Sequence, residues 1–370
     1  EKFKLKPIIL TFLCALLACY SKESAIVLLG IVPIWFYTVQ KWSIQQTAKI
    51  TSVFVLAFAV YLLHRFLVLD SLGGSGQSVT FLENLLVEAN TVSSWIYTNL
   101  SYVGYYHQLL VFPEPLVHDR SFSYLQLLTT PNAATITGAI FSILLPVSCI
   151  FFIVKKNRLA VPTGILTLFV LLFCNWFFLT EVTVSDRMLF IPSISFGLFL
   201  TEAYKKIKQK LQKERYLKYL LIVIFIAYSF QTIKRSQAWK TNLTLFTTDV
   251  QKASENARLQ YATGLEYGRN ETSSPAVQEQ NYLIAEKHLI KAIQIYPEFD
   301  KAYAALGLIY ANKNQFEKAK KTLIKALEIE PENPKANTNL AVINYKEKNI
   351  ELAISRLDSV LKYEPRYFKA

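Results

Sequence analysis

Residues 300–331 read DKAYAALGLIYANKNQFEKAKKTLIKALEIEP, and this stretch decides the fold of the C-terminal part of the chain. Small residues at Gly307 and Ala319 let two antiparallel helices approach closely. Pro331 ends the second helix because proline lacks the backbone donor that a continuing helix needs. We therefore expect a hairpin of two helices here.

The pattern recurs every 34 residues, which is tetratricopeptide spacing. Three sets keep the interval: Pro297, Pro331 and Pro365; Ala302, Ala336 and Ala370; and Ala285, Ala319 and Ala353. We predict an α-solenoid at 257–370, with repeats at about 257–297, 298–331 and 332–365. The first repeat has extra residues around 270–281, which should form a loop. The sequence PRYFKA after residue 364 starts a fourth repeat, and the chain begins at Glu1, without Met, with a basic hexamer that leads directly into an apolar run; we therefore expect both ends of the chain to be truncated.

The composition indicates lipid contact for the rest of the chain. The chain is 52% hydrophobic and 14% aromatic, and the apolar residues are concentrated before about residue 233. The formal charge of +13 comes from short basic runs beside apolar segments, which act as topology signals and argue against nucleic-acid binding. The four cysteines lie inside apolar stretches with no metal-ligand spacing.

The predicted class is all-α: a multi-pass transmembrane helical bundle at 1–233, a linker at 234–256, and the tetratricopeptide solenoid. Apolar runs predict five spans, at 50–69, 133–154, 159–179, 188–204 and 216–233. Residues 7–39 form either two short helices that meet at the SKES cluster or one long helix with a charged step. We favour two helices.

Lysine and arginine residues set the predicted orientation. The basic runs at 155–158 and 205–218 should be cytoplasmic, so residues 181–187 and everything after 233 fall on the outer face. The more polar segment 95–112 is predicted to lie along that face, within a long outer loop at about 70–132.

Ionisable residues at membrane depth or at helix ends are candidates for function, because an unpaired charge in lipid is costly. Lys22 could hold a lipid phosphate, and Glu23 could orient that lysine. Arg187 is placed to bind an anion, with Asp186 as its partner. Internal ion pairs that fix helix packing explain these residues equally well.

Two further groups have simpler explanations. His118, Asp119 and Ser121 suggest a hydrolase triad, but residues so close in sequence rarely reach triad geometry. His64 and Arg65 lie near the outer end of a span, where snorkelling accounts for them.

Three stretches carry a family resemblance: ACYSKESAIVLLGIVPIW at 18–35, YYHQLLVFPEPLVHDRSFS at 105–123, and EVTVSDRMLFIPSISFGLFL at 181–200. The chain resembles the polytopic membrane proteins with tetratricopeptide repeats that include the transmembrane and TPR repeat-containing O-mannosyltransferases and their bacterial relatives. Those proteins belong to the GT-C glycosyltransferase superfamily.

The resemblance implies that a sugar moves from a polyprenyl-phosphate carrier to a protein or glycan acceptor on the outer or lumenal face. One acidic residue would act as general base on the acceptor hydroxyl. In the superfamily that acid lies in the first outer loop, which would precede residue 1, so no catalytic residue is assigned in this chain. The donor phosphate and lipid are assigned to Lys22, Glu23 and Arg187, with Asp186 and Asp119 behind them.

The resemblance also implies where the protein acts and what it binds. The repeats would bind the acceptor or a partner protein on the periplasmic or lumenal side of a bacterial inner membrane or, in a eukaryote, the endoplasmic reticulum. Some superfamily members use a divalent metal; the sequence shows no metal site and no cofactor motif. A non-enzymatic membrane scaffold remains the alternative. A transporter predicts inverted repeats, which the sequence lacks.

Overall fold

The structure is a computed structural model that describes residues 5–71, 79–122, 124–177, 179–180, 183–211, 214–270, 274–364 and 367. Within these ranges the chain is helical and has no β-strand. The predicted all-α class is therefore confirmed. The start of the predicted fourth repeat, at 365–370, lies outside the described residues except for Tyr367.

The chain forms two compact units, each built from two pieces of sequence. The first unit comprises Glu1–Glu114 and Leu127–Phe225. The second unit comprises Pro115–Gln126 and Ile226–Ala370. Part of the predicted outer loop thus belongs to the same unit as the repeats.

Most helices of the first unit are apolar. Its helices are α1 Leu5–Ser21, α2 Leu28–Thr38, α3 Ile44–Ser71, α4 Val92–Val111, α5 Ala133–Val154, α6 Ala160–Phe173 and α7 Phe190–Leu211. Short 3-10 helices at Glu23–Val27, Leu85–Glu88 and Asp186–Leu189 precede α2, α4 and α7. The apolar runs within 7–39 therefore form two helices rather than one.

Among the described residues, three helices are long and apolar enough to cross a membrane: Ile44–Val68, Ala133–Val154 and Arg215–Ala238. The other predicted spans differ. Helix α6 ends at Phe173, and Asn175 adopts a left-handed conformation with φ of 55° where the chain leaves the helix. Helix α7 continues past the predicted end of its span at residue 204 into the basic stretch 205–211. A bundle of five or more crossings therefore remains a prediction.

The polar segment predicted to lie in a loop forms helix α4, and ten of its residues are buried. It packs on α5 at two glycines. A Cβ atom on Gly104 would lie 2.0 Å from the carbonyl oxygen of Ala134, and one on Gly138 would lie 1.8 Å from that of Leu100. Because no side chain separates them, the two helix backbones are in direct contact.

The second unit consists of helix pairs. After α8 Glu214–Ala238, which begins in the first unit, its helices are α9 Asn242–Lys252, α10 Ala257–Arg269, α11 Pro275–Ile295, α12 Asp300–Asn312, α13 Phe316–Ile329, α14 Pro334–Lys346 and α15 Ile350–Tyr363. Gly264 packs against Leu289, and Gly307 packs against Leu323, so each glycine brings two helices of a pair together.

The stretch predicted to be a linker, 234–256, is largely helical. The spacing in sequence from Phe246 to the first residue of α10 equals the spacing from Leu289 to the first residue of α12. Helix α9 packs on α10 and so occupies the place of the second helix of a repeat. A single helix in the position of a repeat's second helix therefore precedes the three predicted repeats.

Residues 115–126 pack against α9 and the start of α10. Val117 is fully buried in a cluster with Val250, Ala253 and Leu259. The backbone N–H of His118 donates to Asp249 Oδ2 at 2.8 Å, and His118 Nδ1 lies 3.0 Å from the same oxygen. The segment is thus tied down by apolar and polar contacts together.

Asp249 is the centre of a buried ion cluster. Its side chain is completely buried, and its two carboxylate oxygens accept hydrogen bonds from Arg235. Burial alone would raise the pKa of this carboxyl, but the hydrogen bonds from His118 and Arg235 and the Arg235 charge outweigh it and lower the pKa to about 2.

We expect Gly138→Ala to lower the stability of the first unit by at least about 2 kcal/mol, because the new methyl group would force α4 and α5 apart. The measurement is the thermal unfolding midpoint of the detergent-solubilised protein. Gly197→Ala is the matched control, since a Cβ there meets nothing within 4 Å. Equal midpoints for the two variants would contradict the close packing.

We expect Asp249→Asn to destabilise the second unit by about 3 kcal/mol, because it leaves the Arg235 guanidinium without its carboxylate. In the wild type, the folded pKa lies below the usual 3.8, so this stabilisation is present above about pH 4 and is lost as the pH falls towards 2. The free energy of unfolding, measured from pH 2 to 7, should become the same for the wild type and Asp249→Asn at low pH. Asp358→Asn, on exposed α15, should follow the wild type at every pH.

Candidate functional site

The first unit contains a cavity of about 1010 Å³ between the end of α1, α3, α6 and the 3-10 helix at Asp186–Leu189. Three cationic side chains line it: Lys22, Arg65 and Arg187. Among the described residues, no aspartate or glutamate lines it. A cavity with three positive charges and no described carboxylate is suited to an anion.

Lys22 reaches the cavity because the chain breaks its helix there. The residue is extended, with φ of −160°, and stands between α1 and the 3-10 helix at Glu23–Val27. Edge-to-face contacts of Tyr20 with Tyr61 and His64, at ring distances of 5.4 and 5.5 Å, hold α1 against α3. These contacts bring Lys22 and Arg65 to the same cavity.

Arg65 is the residue that the sequence analysis explained by snorkelling. Its guanidinium donates to the Tyr61 hydroxyl at 3.1 Å, and the side chain lines the cavity. The rule that selected Lys22 and Arg187, an ionisable residue in an apolar stretch, applies to Arg65 equally. That signal could have identified it.

Arg187 is carried by a turn that other parts of the unit hold in place. The backbone N–H of Ser185 donates to the hydroxyl of the buried Tyr106 at 3.1 Å. The N–H and hydroxyl of Thr183 both donate to the carbonyl of Glu83 at 3.0 Å. The turn is therefore fixed from α4 and from the segment that precedes it.

A second network fixes the wall beside this turn. Asn175 Oδ1 accepts hydrogen bonds from Asn84 Nδ2 at 2.9 Å and from the N–H of Thr180 at 2.8 Å. Asn84 is fully buried; it also donates to the carbonyl of Thr180, and its Oδ1 caps the N–H of Leu86. Thr180 lines the cavity, so the network shapes the site directly.

The cavity has apolar walls as well as cationic ones. Its walls include Ile165, Phe169 and Phe173. A smaller cavity of about 360 Å³ shares Arg65 and Phe173 with it and is otherwise lined mainly by apolar side chains: Ile26, Phe58, Leu62 and Leu172. This arrangement suits a ligand with an anionic group and a hydrocarbon part.

The remaining candidates are placed differently. Asp186 is half-buried in the turn that carries Arg187 and does not line the cavity. The side chain of Glu23 lies outside the described residues, as does the whole of Glu181, so the structure says nothing of either.

Asp119 belongs to the second unit. Its Oδ2 lies 3.3 Å from Arg258 Nε, and its Oδ1 accepts from the backbone N–H of Ser121 at 2.8 Å. His118 pairs with Asp249 rather than with Asp119 or Ser121. The three neighbouring residues therefore do not form a triad with one another.

In the described part of the chain, no three His, Cys, Asp or Glu side chains are grouped as metal ligands.

Comparison with known proteins gives one family match, the tetratricopeptide repeat, at residues 300–333. The chain is also similar to curated proteins named as protein O-mannosyl-transferases. One from Caenorhabditis elegans is 24% identical over 204 residues, which are 55% of this chain and 28% of that protein. The human TMTC3 protein is 25% identical over 145 residues, 39% of this chain and 15% of that protein. Mouse TMTC1 is 26% identical over 213 residues, 54% of this chain and 21% of that protein.

The chain thus spans less than a third of the length of these relatives. Among solved structures, the chain is similar to the crystal structure of MamA; the match covers 46% of this chain and 89% of the MamA chain, with 17% identity and a TM-score of 0.27.

We expect Asn84→Ala to destabilise the first unit by about 2–4 kcal/mol, because it removes three hydrogen bonds of a fully buried side chain and strands their partners. Thermal unfolding in detergent measures the loss. Asn157→Ala is the matched control: Asn157 is exposed and accepts a hydrogen bond from the Leu159 N–H, so its loss should cost about 1 kcal/mol. A similar loss of stability in the two variants would show that the hydrogen bonds of Asn84 do not stabilise the first unit.

Proposed function

We propose that the chain is part of a membrane-embedded glycosyltransferase that moves a sugar from a polyprenyl-phosphate carrier to a protein acceptor. The observation that carries the proposal is the convergence of Lys22, Arg65 and Arg187 on one cavity with apolar walls. The curated relatives named as protein O-mannosyl-transferases favour mannose as the sugar.

The donor phosphate lies among the three cations in this proposal. A phosphodiester has one negative charge, and its phosphate gains a second as the bond to the sugar breaks. Preplaced cations stabilise that developing charge more than they stabilise the starting state, which is what lowers the barrier. Arg65 and Arg187 can each offer two parallel N–H donors to the phosphate, whereas Lys22 acts as a compact point charge.

The carrier's hydrocarbon lies against the apolar side of the site. Phe169 and Phe173 form part of the main wall, and the smaller cavity continues from Phe173 and Arg65. The lipid therefore contributes binding free energy away from the reacting bond, and this can position the sugar for attack.

The other candidates take supporting roles. We assign Asp186 to the turn that presents Arg187, and Glu23 to the orientation of Lys22. Asp119 is engaged by Arg258, so we assign it to the second unit rather than to the donor site. The general base on the acceptor hydroxyl is assigned to a part of the protein outside the described residues.

The repeats supply the protein-binding part of the proposed enzyme. Stacked helix pairs present an extended surface that suits a protein segment. In this proposal the surface lies on the outer or lumenal side of the membrane, which the distribution of lysine and arginine supports.

We expect Arg187→Gln, Arg65→Gln and Lys22→Met each to reduce sugar transfer by about 10- to 100-fold, since a charged hydrogen bond to phosphate is worth about 1.5–3 kcal/mol. The assay uses membranes that contain the full-length protein and radiolabelled polyprenyl-phosphate sugars. Arg158→Gln, an exposed arginine outside the cavity, is the matched control and should keep wild-type activity.

Sugar transfer that persists in all three variants would show that this cavity is not the donor site. An intact wild-type protein that transfers no sugar from any donor would favour a membrane-anchored scaffold. In that case the three cations serve helix packing, and their replacement should lower the unfolding midpoint instead.

A further inference from the structure

Two basic turns of the first unit meet at one end of its helices. The first turn joins α2 to α3 and contains Lys41, and the second joins α5 to α6 and contains Lys155 and Lys156. The Lys41 ammonium donates to the backbone carbonyl of Lys156, which lies 115 residues further along the chain. We call the three residues Lys41, Lys155 and Lys156 the lysine cluster.

The lysine cluster has no acidic partner in the described part of the chain. The sequence has no aspartate or glutamate at 24–69 or at 120–180, the ranges that contain the two turns. Helix α7 has one glutamate, Glu202, and its carboxylate lies 2.6 Å from Lys205 Nζ. Cations gathered without a carboxylate repel one another, so an anion from outside the chain would stabilise the cluster.

Both turns hold a lysine in a backbone conformation that favours other residues. The φ angle is 59° at Lys41 and 46° at Lys156, in the left-handed region where glycine and asparagine are common. The repeats contain asparagine and lysine in one such position: Asn314 and Lys348 are equivalent residues one repeat apart, with φ of 56° and 65°. Asparagine is therefore compatible with the backbone of the two turns, and the positive charge is what lysine adds.

The lysine cluster lies where two candidate membrane spans end. The span Ile44–Val68 follows the first turn directly, and the span Ala133–Val154 leads directly into the second. The last two turns of α5 before the cluster expose four large apolar side chains, those of Val147, Ile150, Phe151 and Val154. In a membrane, lipid acyl chains cover such a surface.

Aromatic side chains accompany the lysines at this end of the spans. Lys156 Nζ lies 4.6 Å from the centroid of the Tyr37 ring. The Trp42 ring, next to Lys41 in sequence, has its centroid 4.2 Å from that of Phe36. Tryptophan and tyrosine are enriched where a span meets the lipid headgroups, and lysines gather there on the cytoplasmic side. The pattern indicates that the cluster lies at the depth of the lipid phosphates.

We propose that the lysine cluster binds the phosphate of an anionic lipid whose acyl chains lie along α5. The Lys41 ammonium has three donors and uses one on the carbonyl of Lys156, so two remain for phosphate oxygens. The exposed Lys155 adds a second charge, and Lys156 adds a third beside the Tyr37 ring. Basic pockets between helices at this end of a membrane protein suit lipid headgroups. A lipid is favoured over free phosphate, which would leave the neighbouring apolar surface of α5 bare.

This site is distinct from the donor cavity. Arg65 lies about 30 Å along α3 from the start of that helix, a distance similar to the thickness of the hydrocarbon core of a bilayer. The lysine cluster lies beside the start of α3, whereas Arg65 and the cavity lie near its end. The proposal therefore does not rest on sugar transfer.

The test measures lipid binding to the full-length protein in detergent by native mass spectrometry. The protein is offered equal amounts of phosphatidylglycerol, which is anionic, and phosphatidylcholine, which is zwitterionic, with the same acyl chains. The cluster variant is Lys41→Asn with Lys156→Asn. The matched control, Lys205→Gln with Lys206→Gln, removes two exposed lysines of the basic stretch in α7.

The wild type should bind phosphatidylglycerol in preference to phosphatidylcholine, and salt should reduce the preference. The cluster variant should lower the affinity for phosphatidylglycerol about 10- to 30-fold, because each lysine near an anionic lipid contributes about fivefold. The control should change that affinity by less than about 2-fold. Lys155→Gln, at an exposed position, should lower it about 5-fold, and it replaces the cluster variant if unfolding curves show that variant to be misfolded.

Equal binding of the two lipids by the wild type, or an equal loss of affinity in the cluster and control variants, would overturn the proposal. Displacement of phosphatidylglycerol by inorganic phosphate at equal concentration would also overturn it. Because the donor cavity is itself cationic, each protein is measured again with Arg187→Gln, and the effect of the cluster variant should be the same in both backgrounds. An effect that disappears with Arg187→Gln would assign the bound lipid to the donor cavity instead.

Discussion

Close approach of helices at glycine residues is the constraint on which both units depend. In the second unit Gly264 and Gly307 each make room for a leucine side chain of the paired helix, and in the first unit Gly104 and Gly138 let two helix backbones touch. In the first unit this contact holds α4 against α5. Tyr106, on the same helix, then presents its hydroxyl to the turn that carries Arg187. The position of a candidate binding residue thus follows from packing that involves no charge.

The cavity has two kinds of lining, cationic side chains and apolar walls, whose requirements for solvation oppose each other. Cations are stable where water or an anion surrounds them, whereas phenyl and alkyl walls exclude water. Lys22, Arg65 and Arg187 line one cavity with such walls, so an amphiphile with a charged head would satisfy both. A fully polar ligand would leave the apolar wall wet, and a hydrocarbon alone would leave the charges uncompensated. The proposed carrier is one amphiphile of this kind.

Periodic features of the molecule were predictable from the sequence, and features set by distant contacts were not. The repeats were predictable because small residues and prolines recur at one interval. Lys22 and Arg187 were identified as candidates because charge interrupts an apolar run. Arg65 interrupts an apolar run in the same way, but it was set aside because snorkelling explained its place near the end of a span. The burial of α4 was missed because composition shows polarity but not partners. The helix in the predicted linker was missed because that stretch lies outside the 34-residue pattern, and the pairing of Asp249 with Arg235 and His118 is a tertiary contact that the pattern does not show.

The discontinuity of the second unit affects how the protein can fold during synthesis. His118 and Asp249 are separated by 131 residues, most of which belong to the first unit. Residues 115–126 therefore leave the ribosome long before the helices they cover, and Val117 stays without its partners until α10 has emerged. Such a contact forms slowly, because closing a long loop costs conformational entropy before any burial of apolar surface offsets that cost. The first unit has time to assemble in the interval, so the repeats complete their hydrophobic core on a chain that is already anchored.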